Sequence, residues 1–401
     1  MKVALKFTTL LALLALVVVG CMKEEISITS DATNDITFRQ GPNVIPNQYI
    51  IVFNDDVDVA GDTYEARQNN MSARATEVLA SLDLGASRVK RAYSSTIKGA
   101  VVSASASEAA ALRNNPAVKY VEQDQTITVQ GGPPNGGGGG GGGGGEETPW
   151  GITRVNGGAN YTGSSKAYIL DSGIDLDHPD LNVDEAAGFN AFTSGKDGRS
   201  LDDGDGHGTH CAGTVAAIGG NGIGVVGVAA GATVVPVKVL NSRGSGSYSG
   251  VIAGVDFVGA NGNAGDVANM SLGGPISQAL DDAVVAAASN GIIFCLAAGN
   301  ESSNANNSSP ARANGNNIYT VSAMSQGDNW ASFSNFANPP VDYCEPGVSI
   351  KSTWKGGGYN TISGTSMATP HLAGLFLLGN ITTDGTVNGD PDGNADPIGV
   401  N

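Results

Sequence analysis

The sequence predicts an α/β chain built on a parallel sheet flanked by helices, preceded by a small α+β domain. Three observations carry that expectation. Residues 45–130 run through strand and helix patterns in the order β-α-β-β-α-β, the order of a split βαβ unit. Ten consecutive glycines, Gly136–Gly145, then separate this segment from the rest. Beyond them, the apolar run Ala167–Leu170 ends on Asp171, and "ISGTSMATPHLAGLFLL" passes from a Gly/Ser/Thr loop into an apolar helix. Open α/β sheets assemble their sites at such carboxyl-end junctions.

In chain order, a targeting segment comes first. Lys2 and Lys6 precede an apolar run from Leu10 to Val19, and "VVGC" ends at Cys21. The run is too short for a membrane span and fits a signal peptide over residues 1–21. "VVGC" resembles the lipobox of bacterial lipoproteins, which implies a lipid on Cys21 and a membrane anchor. "CMKEE" resembles signals that carry such proteins to the cell surface. An ordinary secretory peptide is the alternative, and both readings export the rest of the chain. Residues 22–44 read as a polar spacer.

The small domain, residues 45–130, begins with the β-rich "YIIVF" (49–53). "TYEARQNNMSARATEVLASL" (63–82) has helical composition. "SRVKRAYS" and "IKGAVVSAS" read as strands, "SEAAALRNNP" as a short helix and "VKYVEQD" as a final strand. This order is ferredoxin-like and names no activity, because that arrangement hosts many. Residues 131–148 form a glycine-rich linker: glycine has no side chain to bury and loses the most backbone entropy on ordering. Residues 149–385 form the second domain, and 386–401 an acidic tail. The net charge of −17 over 401 residues argues against a nucleic-acid partner.

The chemistry lies after the glycines. Asp171 stands in "ILDSGID", His207 in "GHGTHCAGT" at the start of a helix, and Ser366 where its loop meets a helix. Serine alone is a poor nucleophile. A histidine takes its proton, and a carboxylate holds the imidazole in the right tautomer. Three motifs in the order Asp, His, Ser, each on a fitting element, make an activated hydroxyl the expected function.

These motifs, with "PWGITRV", "VLNSRGSGSYSGVIAGVDF", "NMSLGG", "AAGN" and "ASFSNF", resemble the subtilisin-like serine proteases, in particular the proteinase K-like branch. The resemblance implies a subtilisin-like fold for residues 149–385 and an inhibitor propeptide for 45–130. It implies a serine endopeptidase made as a zymogen that cuts polypeptide substrates and is restrained by its own propeptide. It implies Asn300 as the oxyanion donor, and Gly244, Ser245 and Gly246 with Ser271, Leu272 and Gly273 as two edges that clasp an extended peptide. Catalysis needs no cofactor in this family. A structural calcium is implied at Asp342 with the carbonyls of Asn316 and Ile318. Cys211, one helical turn after His207, matches a free thiol of that branch and reads as a small buried hydrophobe. Cys295 and Cys344 fall on different strands, and no disulfide is expected. A peptide ligase and a non-catalytic surface peptide-binding protein are the alternatives to hydrolysis.

Two departures stand out. Glu345 replaces the usual small residue in "CEPGVS", and the chain after Leu378 turns polar where relatives continue in helix. Asp390, Asp392, Asn394 and Asp396 alternate like calcium-loop ligands, but a solvated acidic tail is the expected reading.

Overall fold

The computed structural model describes residues 43–129 and 145–401. The targeting segment, Cys21 and the glycines up to residue 144 lie outside the described residues.

The first body is built from β1 (Val44–Phe53), α1 (Tyr64–Ala80), β2 (Val89–Tyr93), β3 (Gly99–Ser103), α2 (Ala106–Arg113) and β4 (Val118–Val129). The sheet is antiparallel in the order β4-β1-β3-β2, which is the ferredoxin-like arrangement. Both helices begin on capped ends. Thr63 accepts the amide of Ala66, and Ser105 with Glu108 forms a reciprocal capping box, each satisfying amides that the first turn leaves unpaired. β4 runs five residues past the "VKYVEQD" of the sequence reading; Gln125 still pairs with Val44 of β1, and Thr126–Val129 pair with strands of the second body.

The second body opens with α3 (Trp150–Arg154), β5 (Ala167–Asp171), α4 (His207–Ala216), β6 (Thr233–Lys238), β7 (Ser245–Ser247) and α5 (Tyr248–Asn261). It continues with β8 (Val267–Met270), β9 (Leu272–Pro275), α6 (Gln278–Ala288), β10 (Ile293–Ala297), β11 (Ile318–Ser325) and β12 (Val341–Pro346). β13 (Ile350–Trp354), β14 (Gly358–Ile362), α7 (Thr365–Leu378), β15 (Thr382–Thr386) and β16 (Pro397–Val400) complete it. The central strands are parallel in the order β11-β10-β8-β5-β6, with β12 also parallel to β11. The five residues of β5 are all buried, as expected of a strand covered on both faces.

Two apolar clusters flank this sheet. One joins Val255, Val258, Ala283 and Ala287 of α5 and α6 to Ile50, Val52 and Val101 of the small sheet. The two bodies therefore share one core, with the small sheet laid across the outer side of these helices. The other cluster packs Cys211 and Val215 of α4 against Met367, Leu372 and Leu375 of α7.

Three boundaries differ from the sequence reading. Val44 already belongs to β1. The linker ends before residue 148. Glu147 bridges to Val225, and the carboxylate of Glu146 accepts the amides of Gly220 and Asn221 at 2.6 and 3.0 Å. The solvated tail over 386–401 is overturned. β15 and β16 pair antiparallel, and Val387, Ile398 and Val400 are buried. Asp396 is also buried, with its carboxylate accepting the Ser322 hydroxyl. The apolar residues of this segment are few and spaced among acids, but Val387 and Ile398 pack with Met324 and Cys344. After Leu378 this hairpin closes the domain edge.

Candidate active site

β5 delivers Asp171 to the carboxyl end of the sheet, and α4 starts on His207, so each element's end presents one functional side chain. The Nδ1 of His207 lies 2.9 and 2.8 Å from the two carboxylate oxygens of Asp171. Asp171 is wholly buried and His207 nearly so. Burial alone would pull the imidazole down. The Asp171 carboxylate outweighs it and holds His207 well above the ordinary histidine value. The fit is close enough to require glycine next to His207. A Cβ on Gly208 would collide with the carbonyl oxygen of Gly173 and stand 3.1 Å from the Cβ of Asp171.

Ser366 is the second residue of α7 and is fully buried. Its hydroxyl donates to the carbonyl of Ser271 at 2.9 Å, and the Nε2 of His207 has no partner among the described residues. The structure therefore forms the Asp171–His207 link, and the serine hydroxyl is turned to Ser271. Pro370 explains a second feature. Having no N–H, it cannot bond the carbonyl of Ser366 four residues back. That freed carbonyl accepts the Ser271 hydroxyl at 2.9 Å and lies 3.6 Å from the Cys211 sulfur. Ser271 thus meets Ser366 twice, an arrangement the sequence reading missed. The serine in "NMSLGG" was the available signal, but it was read for its backbone alone.

The side-chain oxygen of Asn300 accepts the amide of Thr365 at 2.9 Å and its hydroxyl at 3.0 Å. An amide N–H donates without ambiguity, so this contact fixes which end of the Asn300 side chain is its donor end. Thr365 is a second residue that the sequence reading missed.

The two edges lie on either side of one strand. Ser245, Gly246 and Ser247 of β7 pair antiparallel with Thr128, Ile127 and Thr126 of β4. Leu272 and Gly273 of β9 pair with Val129 and Thr128. The amide of Val129 donates to the carbonyl of Gly244 at 3.0 Å, and Gly244 has φ +67, a conformation that favours glycine. The far end of the small body is thereby a strand inserted between both edges. Ile127, wholly buried, joins the cluster of Leu240, Tyr248 and Leu272.

Cys211 sits 3.9 Å from both the Nδ1 of His207 and a carboxylate oxygen of Asp171. Burial pushes its thiol up, which keeps it un-ionised and a poor nucleophile. Cys295 and Cys344 are likewise buried free thiols. The proposed calcium residues fall at the β11–β12 edge. Asp342 is on β12, Ile318 opens β11 and Asn316 is exposed just before it. One oxygen of Asp342 accepts the amide of Thr320 at 2.9 Å, and burial lifts the carboxyl to about 6.

Comparison with known proteins agrees with this geometry. The Subtilase family model matches residues 166–379, and the Peptidase inhibitor I9 model matches residues 48–130. The chain is 39% identical over 346 residues to the alkaline serine exoprotease A of Vibrio alginolyticus. That match takes in 83% of this chain and 60% of that protein. It is 38% identical over 364 residues to the subtilisin-like serine protease Pen c 1 of Penicillium citrinum, covering 86% and 84% of the two chains. A crystal structure of a cold adapted subtilisin-like serine proteinase is similar, with 40% identity and a TM-score of 0.50. It covers 57% of this chain and 83% of its own. The chain belongs to the subtilase family of serine proteases and carries an I9-type inhibitor propeptide ahead of its protease domain.

Proposed function

We propose that the chain is an exported, self-restrained endopeptidase in which Ser366 attacks the scissile carbonyl of a polypeptide. His207 acts as general base and then general acid, Asp171 orients the imidazole, and Asn300 with the amide of Ser366 steadies the oxyanion. The observation that carries the reading is the strand β4 lying between Ser245–Ser247 and Leu272–Pro275. An extended peptide bound by backbone pairing on both edges is the posture of a substrate. The attack requires the Ser366 hydroxyl to leave the Ser271 carbonyl for Nε2 of His207. Self-cleavage falls after Gln130, the residue that follows Val129 in the sequence. Replacing Ser366 with alanine is expected to lower peptide hydrolysis by at least about 10⁴-fold, since nucleophile and base act as one unit. Near-normal turnover by a contaminant-free Ser366→Ala protein would end this reading. Hydrolysis is distinguished from ligation by adding an amine and analysing products: hydrolysis predicts free carboxyl termini.

A structural calcium fits at Asp342. Its carboxyl is largely removed from water, is compensated by one amide, and has no cationic group among the causes that set its ionisation. A hard divalent cation held with the carbonyls of Asn316 and Ile318 would supply the missing charge. A chelator should then lower the melting temperature, and an unchanged value would exclude the site. Lipidation at Cys21 would tether the enzyme to a membrane, and mass spectrometry of the purified protein reads that directly.

A further inference from the structure

We propose that Asp203 is the positioning residue for the Asp171–His207 pair. This rests on the triad reading above. Its starting point is a gap in the capping of α4. The helix begins on His207, and its N-cap is Gly206 with φ +112, which has no side chain to bond the first-turn amides. Asp203, three residues further back and 4% exposed, does so in its place. Its Oδ2 accepts the amide of Thr209 at 2.9 Å and the Thr209 hydroxyl at 2.7 Å. Its Oδ1 accepts the amides of Asp205 at 2.9 Å and Gly206 at 2.8 Å. The same oxygen accepts the hydroxyl of Ser172 at 2.8 Å.

That last bond turns a helix cap into a positioning device. Ser172 is the residue after Asp171, and its hydroxyl in turn accepts the amide of Gly208, the residue after His207, at 3.0 Å. One buried carboxylate thus ties the end of β5 to the first turn of α4. The two catalytic side chains issue from the residues beside these bonds. The junction is held from its other side by Lys238, 1% exposed, whose ammonium donates to the carbonyls of Ser172 at 2.8 Å and Asp202 at 2.7 Å. Bonds to an ionised carboxylate are the stronger kind, and in a dry network the loss of one weakens the others. A shift of about 1 Å in His207 is enough to cost about 10²-fold in rate.

Asp203→Asn tests this. The amide replaces one acceptor by a donor, and whichever way it turns, a donor faces N–H or O–H groups that now lack a partner. The variant should lose about 10–100-fold in kcat with KM nearly unchanged. The acid limb of its kcat/KM profile should move down toward the ordinary histidine value, because a displaced imidazole feels Asp171 less. A purely structural role would lower the melting temperature and leave the limb in place. A folded Asp203→Asn enzyme with wild-type kcat, or with an unmoved limb, overturns the proposal. If Asp203→Asn does not fold, Ser172→Ala and Thr209→Val decide it, each removing one hydroxyl donor and keeping the carboxylate. A downward limb shift in both supports the proposal, and wild-type profiles in both overturn it. Failure of the triad reading is seen separately, as turnover retained by Ser366→Ala.

Discussion

Asp171 and His207 touch although they are far apart along the chain, and their contact sets a pH dependence. The general base works only when neutral. Because Asp171 holds His207 above its ordinary value, kcat/KM should rise with pH through a midpoint above about 6.5. Asp171→Asn removes the charge that favours the imidazolium, so the midpoint of its residual activity should fall. A pH–rate profile of the two enzymes checks both statements, and an upward shift in the variant would contradict them. The motifs around these residues were legible because each joins a chemical group to a local structural demand, such as glycine where α4 meets the Asp171 turn. Asp203, the hydroxyl contact of Ser271, and Thr365 were not. Each acts through a partner distant in sequence, on Ser172, Ser366 and Asn300 respectively. No spacing rule announces such a convergence.

Among elements, those of the small body followed from apolar periodicity and turn residues, and in the second body β5 and the starts of α4 and α7 followed from an apolar strand and two helices that meet polar site motifs. The hairpin β15–β16 did not, because its acidic residues dominate the composition while Val387, Ile398 and Val400 do the packing. It also accounts for Glu345. That side chain is fully buried, with one oxygen accepting the amide of Gly399 at 3.0 Å and the other without a partner among the described residues. Burial pushes its carboxyl well above the ordinary range. A raised folded value means the fold holds the proton more tightly than the unfolded chain does. The stability this contributes is complete below about pH 4.5 and is lost as pH climbs toward the folded value. Glu345→Gln keeps an acceptor for Gly399 and has no proton to lose. It should melt about 2–4 °C above the parent at pH 8, with the gap closing near pH 4.5, as read by thermal unfolding. A variant less stable at both pH values would count against this account. Arg154 fastens the same region. It pairs with Asp328 through two contacts at 2.7 and 3.0 Å and reaches Asp384 at 3.3 Å.

On the scale of the whole molecule, the two bodies are held by three carboxylates, those of half-buried Glu122 and of buried Asp124 and Asp256, as well as by the shared core. Glu122 accepts the amide of Ala279 at the start of α6, and Asp124 that of Ser249 at the start of α5. Anions at helix N-termini meet unpaired amides and the positive end of the dipole. Asp256 of α5 works in the other direction, accepting the amides of Ser94, Ser95 and Thr96 from the turn before β3. Asp256→Ala leaves those three part-buried amides without this acceptor. Bonds to charged groups contribute about 1.5–3 kcal/mol each, so inhibition by the propeptide should weaken at least about 10-fold with kcat unchanged. Titration of mature enzyme with separate propeptide measures this, and an unaltered inhibition constant would show Asp256 to be incidental.

The strand β4 has a further consequence for how activity would appear in time. While the chain is continuous, the inhibitor meets its groove as a neighbour on the same molecule, at an effective concentration that dilution cannot change. Once the chain is cut anywhere between Val129 and Gly145, the same contacts join two separate molecules, and mass action governs them. A crowded population then stays silent because liberated inhibitors find new hosts, whereas a sparse one wakes. Each intact inhibitor strand that a waking enzyme digests lowers the supply for the others, so onset should be sigmoidal and should sharpen with dispersal.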